Sequence, residues 1–189
     1  QNNAIAFDGS GDYITVTDHD SIDPTEAWTL EAWIHRNETG TQHSVLEKYD
    51  WSAGKGNYAL RVTSGNRIIA YVINGTSSAN CGSASTIINA GEWYHFVATF
   101  DSNTNTLACY VNGDLDVQNT GATINPPSST GTLNIGARGD DAGTKFNGAI
   151  DEVKIYSRAL SAGEILAEYD ANANQYNKTW TGLTEGQRY

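Results

Sequence analysis

Apolar and polar residues alternate in short runs along most of the chain, the period of a β-strand rather than a helix. The clearest run is residues 146–156, Phe-Asn-Gly-Ala-Ile-Asp-Glu-Val-Lys-Ile-Tyr. It opens on an Asn-Gly turn. Strict alternation then sends Ile150, Glu152, Lys154 and Tyr156 one way and Asp151, Val153 and Ile155 the other. That phase aims Asp151 at a core, where a carboxylate must be paired, hydrogen-bonded or metal-bound because an isolated buried charge is prohibitively costly. In residues 28–35, Trp28, Leu30, Ala32 and Ile34 share a face, with Glu31 and Trp33 on the other. Residues 93–101 are apolar on both faces and read as a central strand.

Further strands are expected at 4–7, 13–16, 44–48, 58–62, 67–73, 106–111, 115–118 and 133–137, joined by polar, Gly-rich loops. Two tight hairpins are expected, across Ser64-Gly65-Asn66 and at Asn112-Gly113. The tract 74–85 reads as a loop carrying Cys81. Ser161 and Glu164 form a capping box that starts a short helix over 161–172. The pattern predicts an all-β chain, a two-sheet antiparallel β-sandwich with one short C-terminal helix. Residues 1–172 form that single domain, and 173–189 are a tail or linker to a following module. Within the tail, Leu183-Thr-x-Gly186-x-x-Tyr189 resembles the corner of fibronectin type III modules, with too few residues for a whole one.

Composition narrows the function. A formal net charge of −11 argues against nucleic acid, whose phosphates it would repel, and is compatible with cation binding. No apolar run approaches the ~20 residues of a membrane span, so no membrane insertion is expected. The chain has no methionine and reads as a processed or excised segment. Its only cysteines, Cys81 and Cys109, and the sequons at Asn37, Asn74 and Asn177 suggest an extracellular, secreted or cell-surface setting with one disulfide. Closing that loop would add about 3.5 kcal/mol.

The run N-G-x-I-D-E-V-x-I-Y-x-R-A-L-S-x-x-E-I, from Asn147 to Ile165, resembles the closing signature of laminin-G-like domains of the concanavalin A-like lectin/glucanase superfamily. Matching motifs occur in order: Phe7-Asp-Gly9 with Asp12-Tyr13, Trp28-Thr-Leu-Glu-Ala-Trp33, Trp93-Tyr-His95, Tyr110-Val-Asn-Gly113 and Leu133-Asn-Ile-Gly136. The resemblance implies a jelly-roll sandwich and a recognition module for glycan, non-catalytic and extracellular. The alternatives are a protein-binding or structural spacer module of an adhesin, and a polysaccharide-active enzyme. Against the enzyme, retaining glycosidases hold two carboxyls about 5–5.5 Å apart, and the alternating acids that supply this spacing in the superfamily's enzymes are missing here. Asp114 and Asp116 share a face after a hairpin turn and read as solvated. His95 reads as a hydrogen-bonded core histidine, and Arg138-Gly-Asp140 as a chance tripeptide.

Relatives often carry a structural calcium between an N-terminal loop and the aspartate of the closing strand. By that resemblance Asp8, Gly9, Asp12 and Asp151 would hold calcium through oxygen ligands. For a ligand, the expected surface is the outward face of 58–73. There Tyr58, Leu60 and Val62 face the core and Arg61 faces out. The resemblance aligns Ile68, Ala70 and Val72 inward, leaving Arg67, Ile69, Tyr71 and Ile73 outward. An aromatic stacks on sugar rings and arginine bonds hydroxyls. Trp51 at a loop tip would overhang this face, and Asp140 and Asp141 are the next candidates for ligand contact.

Overall fold

The computed structural model describes residues 4–50, 55–75, 77–82, 84–139 and 144–176. In chain order its strands are β1 (Ile5–Asp8), β2 (Ile14–Val16), β3 (Ala27–Arg36), β4 (His43–Asp50), β5 (Lys55–Val62) and β6 (Ile68–Asn74). There follow β7 (Ser77–Asn80), β8 (Trp93–Asp101), β9 (Thr106–Val111), β10 (Asp114–Asn119), β11 (Leu133–Ile135) and β12 (Asn147–Tyr156), then the helix α1 (Ala162–Tyr176). Two six-stranded sheets result, ordered β1-β12-β3-β8-β9-β10 and β2-β11-β4-β5-β6-β7. Every named pair is antiparallel, from β1–β12 to β6–β7. The expected sandwich forms.

The inward rows of the two sheets make one core. Trp28, Leu30, Ile34, Phe96 and Phe100 of the first sheet face Leu46, Tyr58, Leu60 and Val72 of the second, all fully buried. Trp28 anchors it, 5.6 Å from the Phe100 ring and 5.9 Å from that of Tyr58. Burying such side chains contributes about 1.5–3 kcal/mol each. The Asn112-Gly113 hairpin has φ of +52° and +86°, the left-handed pair a two-residue turn needs.

One side of the sandwich is fastened shut. Cys81, just past β7, is disulfide-bonded to Cys109 on β9, joining the second sheet to the first. The expected bridge is present. Beside it, Asp116 accepts hydrogen bonds from the Ser85 N–H (2.7 Å), the Thr86 N–H (3.0 Å) and the Thr86 hydroxyl (2.8 Å). Asp116 therefore pins a loop rather than standing solvated. The tract read as loop also contains β7, an edge strand of Ser, Ala and Asn. Its pairing with β6 supplies what weak intrinsic propensity does not.

The closing strand departs from strict alternation. Its register with β3 slips between Asp151 and Lys154, and Glu152 sits at φ +48°. This is a β-bulge, in which one extra residue reverses the phase of the rest of the strand. Ile150 faces the core, and Val153 and Ile155 pack against it. Asp151 instead points to the outer face, where its Oδ2 accepts a hydrogen bond from the Tyr176 hydroxyl at 2.7 Å. The expectation of an inward Asp151 is thus corrected. At the start of the same strand a β-carbon on Gly148 would overlap the His35 carbonyl oxygen, so only glycine lets β12 enter the ladder there.

The helix begins at its capping box. The Ser161 N–H and hydroxyl both donate to Glu164, each at 2.8 Å, and the Glu164 N–H returns to the Ser161 hydroxyl at 3.4 Å. Arg158 grips the same carboxylate, and together with the Ser161 donors it holds the Glu164 carboxyl down at about 2. The helix runs one turn beyond the expected end and covers the outer face of the first sheet.

Candidate functional site

Across the outer face of the second sheet, one register row runs Thr15, Asn134, Glu47, Ala59, Tyr71 and Asn80, one residue from each of six strands. Glu47 is fully buried at its centre. A carboxylate so placed must be paired, and it is. Arg61 grips it with Nε (3.0 Å) and Nη2, and the Ser44 hydroxyl adds a bond at 3.1 Å. The two-pronged grip fixes the guanidinium plane, and Arg61 lies 5.2 Å from the centre of the Tyr71 ring. Tyr71 stays partly exposed while Arg61 is nearly sealed. The result is an aromatic surface with a rigid cationic backing.

Of the residues expected to contact a ligand, Tyr71 and Arg61 are therefore together. Arg67 is not with them. Its Nη1 donates to the carbonyls of Ala84 and Ser85, clamping the loop beside the disulfide. Trp51, Asp140 and Asp141 lie outside the described residues. The segments that lead to them do meet, since a β-carbon on Gly139 would overlap the Tyr49 carbonyl oxygen. Tyr49 packs with Ala59, Ile73 and Tyr71 in one small apolar cluster.

The expected calcium ligands do not converge. Asp8 pairs with Asn147 in the β1–β12 ladder and Ile5 with Ile150, which puts Asp151 about 13 Å along the strand from Asp8. Both loop aspartates already accept N–H groups. Asp8 takes those of Ser10 (2.8 Å), Gly11 (2.9 Å) and Asp12 (3.4 Å), and Asp12 takes that of Asp8 (3.2 Å). The Gly11 and Ser10 donors hold the Asp8 carboxyl well below the usual range. Gly9 supplies the turn at φ +77°. Inward N–H donors are the opposite of what a cation needs. Among the described residues no three His, Cys, Asp or Glu side chains gather to hold a metal ion.

A cation does tie an N-terminal loop into the sandwich, and it is a lysine. The Lys48 ammonium, fully buried on β4, meets Asp18 Oδ1 (2.6 Å), Asp23 Oδ1 (3.2 Å) and the carbonyls of Ser129 (2.8 Å) and Gly131 (2.7 Å). Sequence reading missed this clamp. A lysine in phase with the inward Leu46 was the available signal.

On the other outer face, under α1, lies a second buried glutamate. Glu31 Oε1 contacts His95 Nε2 at 3.2 Å and Lys154 Nζ at 3.1 Å, and Lys154 reaches on to Glu168 of the helix at 2.8 Å. His95 is the buried, hydrogen-bonded histidine expected. Burial raises the Glu31 carboxyl, but the His95 hydrogen bond and the Lys154 charge outweigh it, so its pKa lies below the ordinary value. Burial would lower the Lys154 ammonium, but Glu168 and Glu31 outweigh that cost and raise it. Trp33, sealed beside them, stacks on Tyr176 (4.2 Å) and Tyr169 (5.7 Å).

The comparisons agree with this architecture. A laminin-G-type family model, described as the concanavalin A-like lectin/glucanases superfamily, matches residues 8–166. No curated protein matches. Among solved structures, a heptameric SAP-like pentraxin from Limulus polyphemus aligns at TM-score 0.71 and 16% identity, over 89% of this chain and 82% of that one. A putative carbohydrate-binding protein from Bacteroides ovatus aligns at 0.67 and 21%, over 86% of this chain but only 45% of its own. A Ruminococcus gnavus sialidase module, CBM40, bound to α2,3-sialyllactose, aligns at 0.68 and 13%, over 88% of this chain and 96% of that one. At these identities the likeness is one of fold.

Proposed function

The chain belongs to the laminin-G-type family of the concanavalin A-like lectin/glucanases superfamily, and on that premise we propose that it is a carbohydrate-binding module without catalysis of its own, working outside the cell. The sugar lies on the outer face of the second sheet at Tyr71. One observation carries this reading: Tyr71 is partly exposed beside a guanidinium that Glu47 has already fixed. A pyranose stacks its C–H face on such a ring, and little ordering remains to be done when it arrives. The disulfide and the carbohydrate-binding neighbours support the same reading.

The platform favours neutral over acidic sugars. Glu47 cancels the Arg61 charge, and the chain is acidic overall. A glycan array should therefore return neutral saccharides ahead of sialylated ones, and Tyr71→Ala should weaken the best hit about tenfold, the 1.4 kcal/mol scale of one aromatic contact. Binding unchanged in a folded Tyr71→Ala variant would move the site elsewhere. An array without hits would leave a protein-binding or spacer module, and release of reducing sugar would reinstate the enzyme.

A further inference from the structure

The side of the sandwich opposite the disulfide is open. There β1 ends the first sheet and β2 ends the second, and among the described residues neither outer edge pairs with another strand. Between them runs a cleft of about 160 Å³ lined by Ile5, Phe7, Ile14, Ile135, Ile150 and Val153, with Asp151 and Glu152 at its rim. Ile5, in its lining, is 50% exposed, and Tyr13 and Val16 on the β2 side of the same edge are 53% and 37% exposed. Ile5 sits opposite the buried Ile150 and shares its inward face, so its exposure marks a place where the core has no outer wall.

We propose that this open side is a docking site for an extended segment of a partner protein, which adds to β1 as a further strand and is both apolar and basic. Three features support it. First, an unpaired edge offers backbone donors and acceptors to an incoming strand. Second, strand pairing beside β1 sends alternate side chains toward the cleft. A cavity of about 150 Å³ accommodates a benzene ring, so the cleft takes one leucine- or valine-sized group. Third, charge chooses the partner. The exposed Glu152 lines the groove, and Asp12 lines the adjoining one along β1 and β2. The rim already draws one cation, with Lys145 Nζ 4.2 Å from the centre of the Tyr13 ring. A second copy of the chain would bring its own acidic rim and its charge of −11, whereas lysines or arginines beside the apolar positions complete the match.

The probe is a fluorescent peptide, acetyl-Lys-Val-Thr-Leu-Thr-Val-Lys-amide, set against its charge-swapped form with glutamate in place of lysine. Anisotropy titrations with the whole chain should show saturable binding of the basic peptide that weakens with salt, and at least about tenfold less for the acidic one. Amide resonances of Ile5–Asp8 should shift on titration. Ile5→Lys alters an exposed position and should remove binding. Glu152→Lys keeps the lining and should narrow the preference between the two peptides. Equal binding of both peptides, or shifts confined to other strands, overturns the proposal. So does a dimer of the free chain that Ile5→Lys dissolves, since the occupant is then a second copy. Binding that appears only after residues 177–189 are removed overturns it too, since the occupant is then the chain's own tail.

Discussion

Each outer face of the sandwich has a fully buried glutamate at its centre, Glu31 on β3 and Glu47 on β4. The two are provided for differently. Glu47 is gripped by one arginine from the adjacent strand, a closed pair that ends beside a partly exposed tyrosine. Glu31 shares one oxygen between His95 and Lys154, and Lys154 passes the connection on to Glu168 of the helix. A buried charge thus serves two ends in one fold. On one face it orients a side chain toward solvent. On the other it fastens a covering element and is itself hidden.

The contrast makes different forecasts for the two residues. The largest effect belongs to Glu47→Ala, which strands the Arg61 guanidinium in a nearly sealed position. A loss of about 3–5 kcal/mol is expected, read by urea unfolding, together with loss of any binding that depends on Tyr71. Stability within 1 kcal/mol of the parent, about the worth of an exposed pair, would show that Arg61 simply swings into water.

Glu31→Gln should cost less, about 1–3 kcal/mol, because Lys154 keeps Glu168. It should also change the acid limb. The folded Glu31 pKa lies below the ordinary value of 4.5, so its contribution is complete above that pH and is lost as pH falls through the lower folded value. Parent and variant should therefore converge in stability below pH 4.5. A constant gap down to about pH 3, well under the unfolded value, would deny Glu31 this role.

The strands and the helix cap were legible because each rests on local pattern: period two, Asn-Gly turns, a Ser-x-x-Glu box. The phase of the closing strand was not read, although a clue was present. Ile150, Val153 and Ile155 are spaced three and then two, and the step of three is the bulge. Arg67 and Asp116 were misjudged for another reason. Arg67 lies just before β6 and Asp116 at a register shift in β10, and the loop at 84–86, distant in sequence from Asp116, folds back to meet both. Lys48 was missed because its four oxygen partners come from two loops far apart in the chain.

The smallest expected effect is that of calcium. With Asp8 and Asp12 turned onto backbone N–H groups and Asp151 turned to Tyr176, melting curves in chelator and in millimolar calcium should coincide. A rise of several degrees in calcium, abolished by Asp151→Ala, would return the cation to that loop.

The Lys48 clamp bears on that expectation. A dissolved ion occupies its site only while its free concentration exceeds the dissociation constant, so a metal-tied loop reports on its surroundings. The ammonium among Asp18, Asp23, Ser129 and Gly131 is tethered by four methylenes and can be neither washed out nor exchanged. These loops should therefore keep one arrangement in dilute water, in brine and beside a chelating polysaccharide.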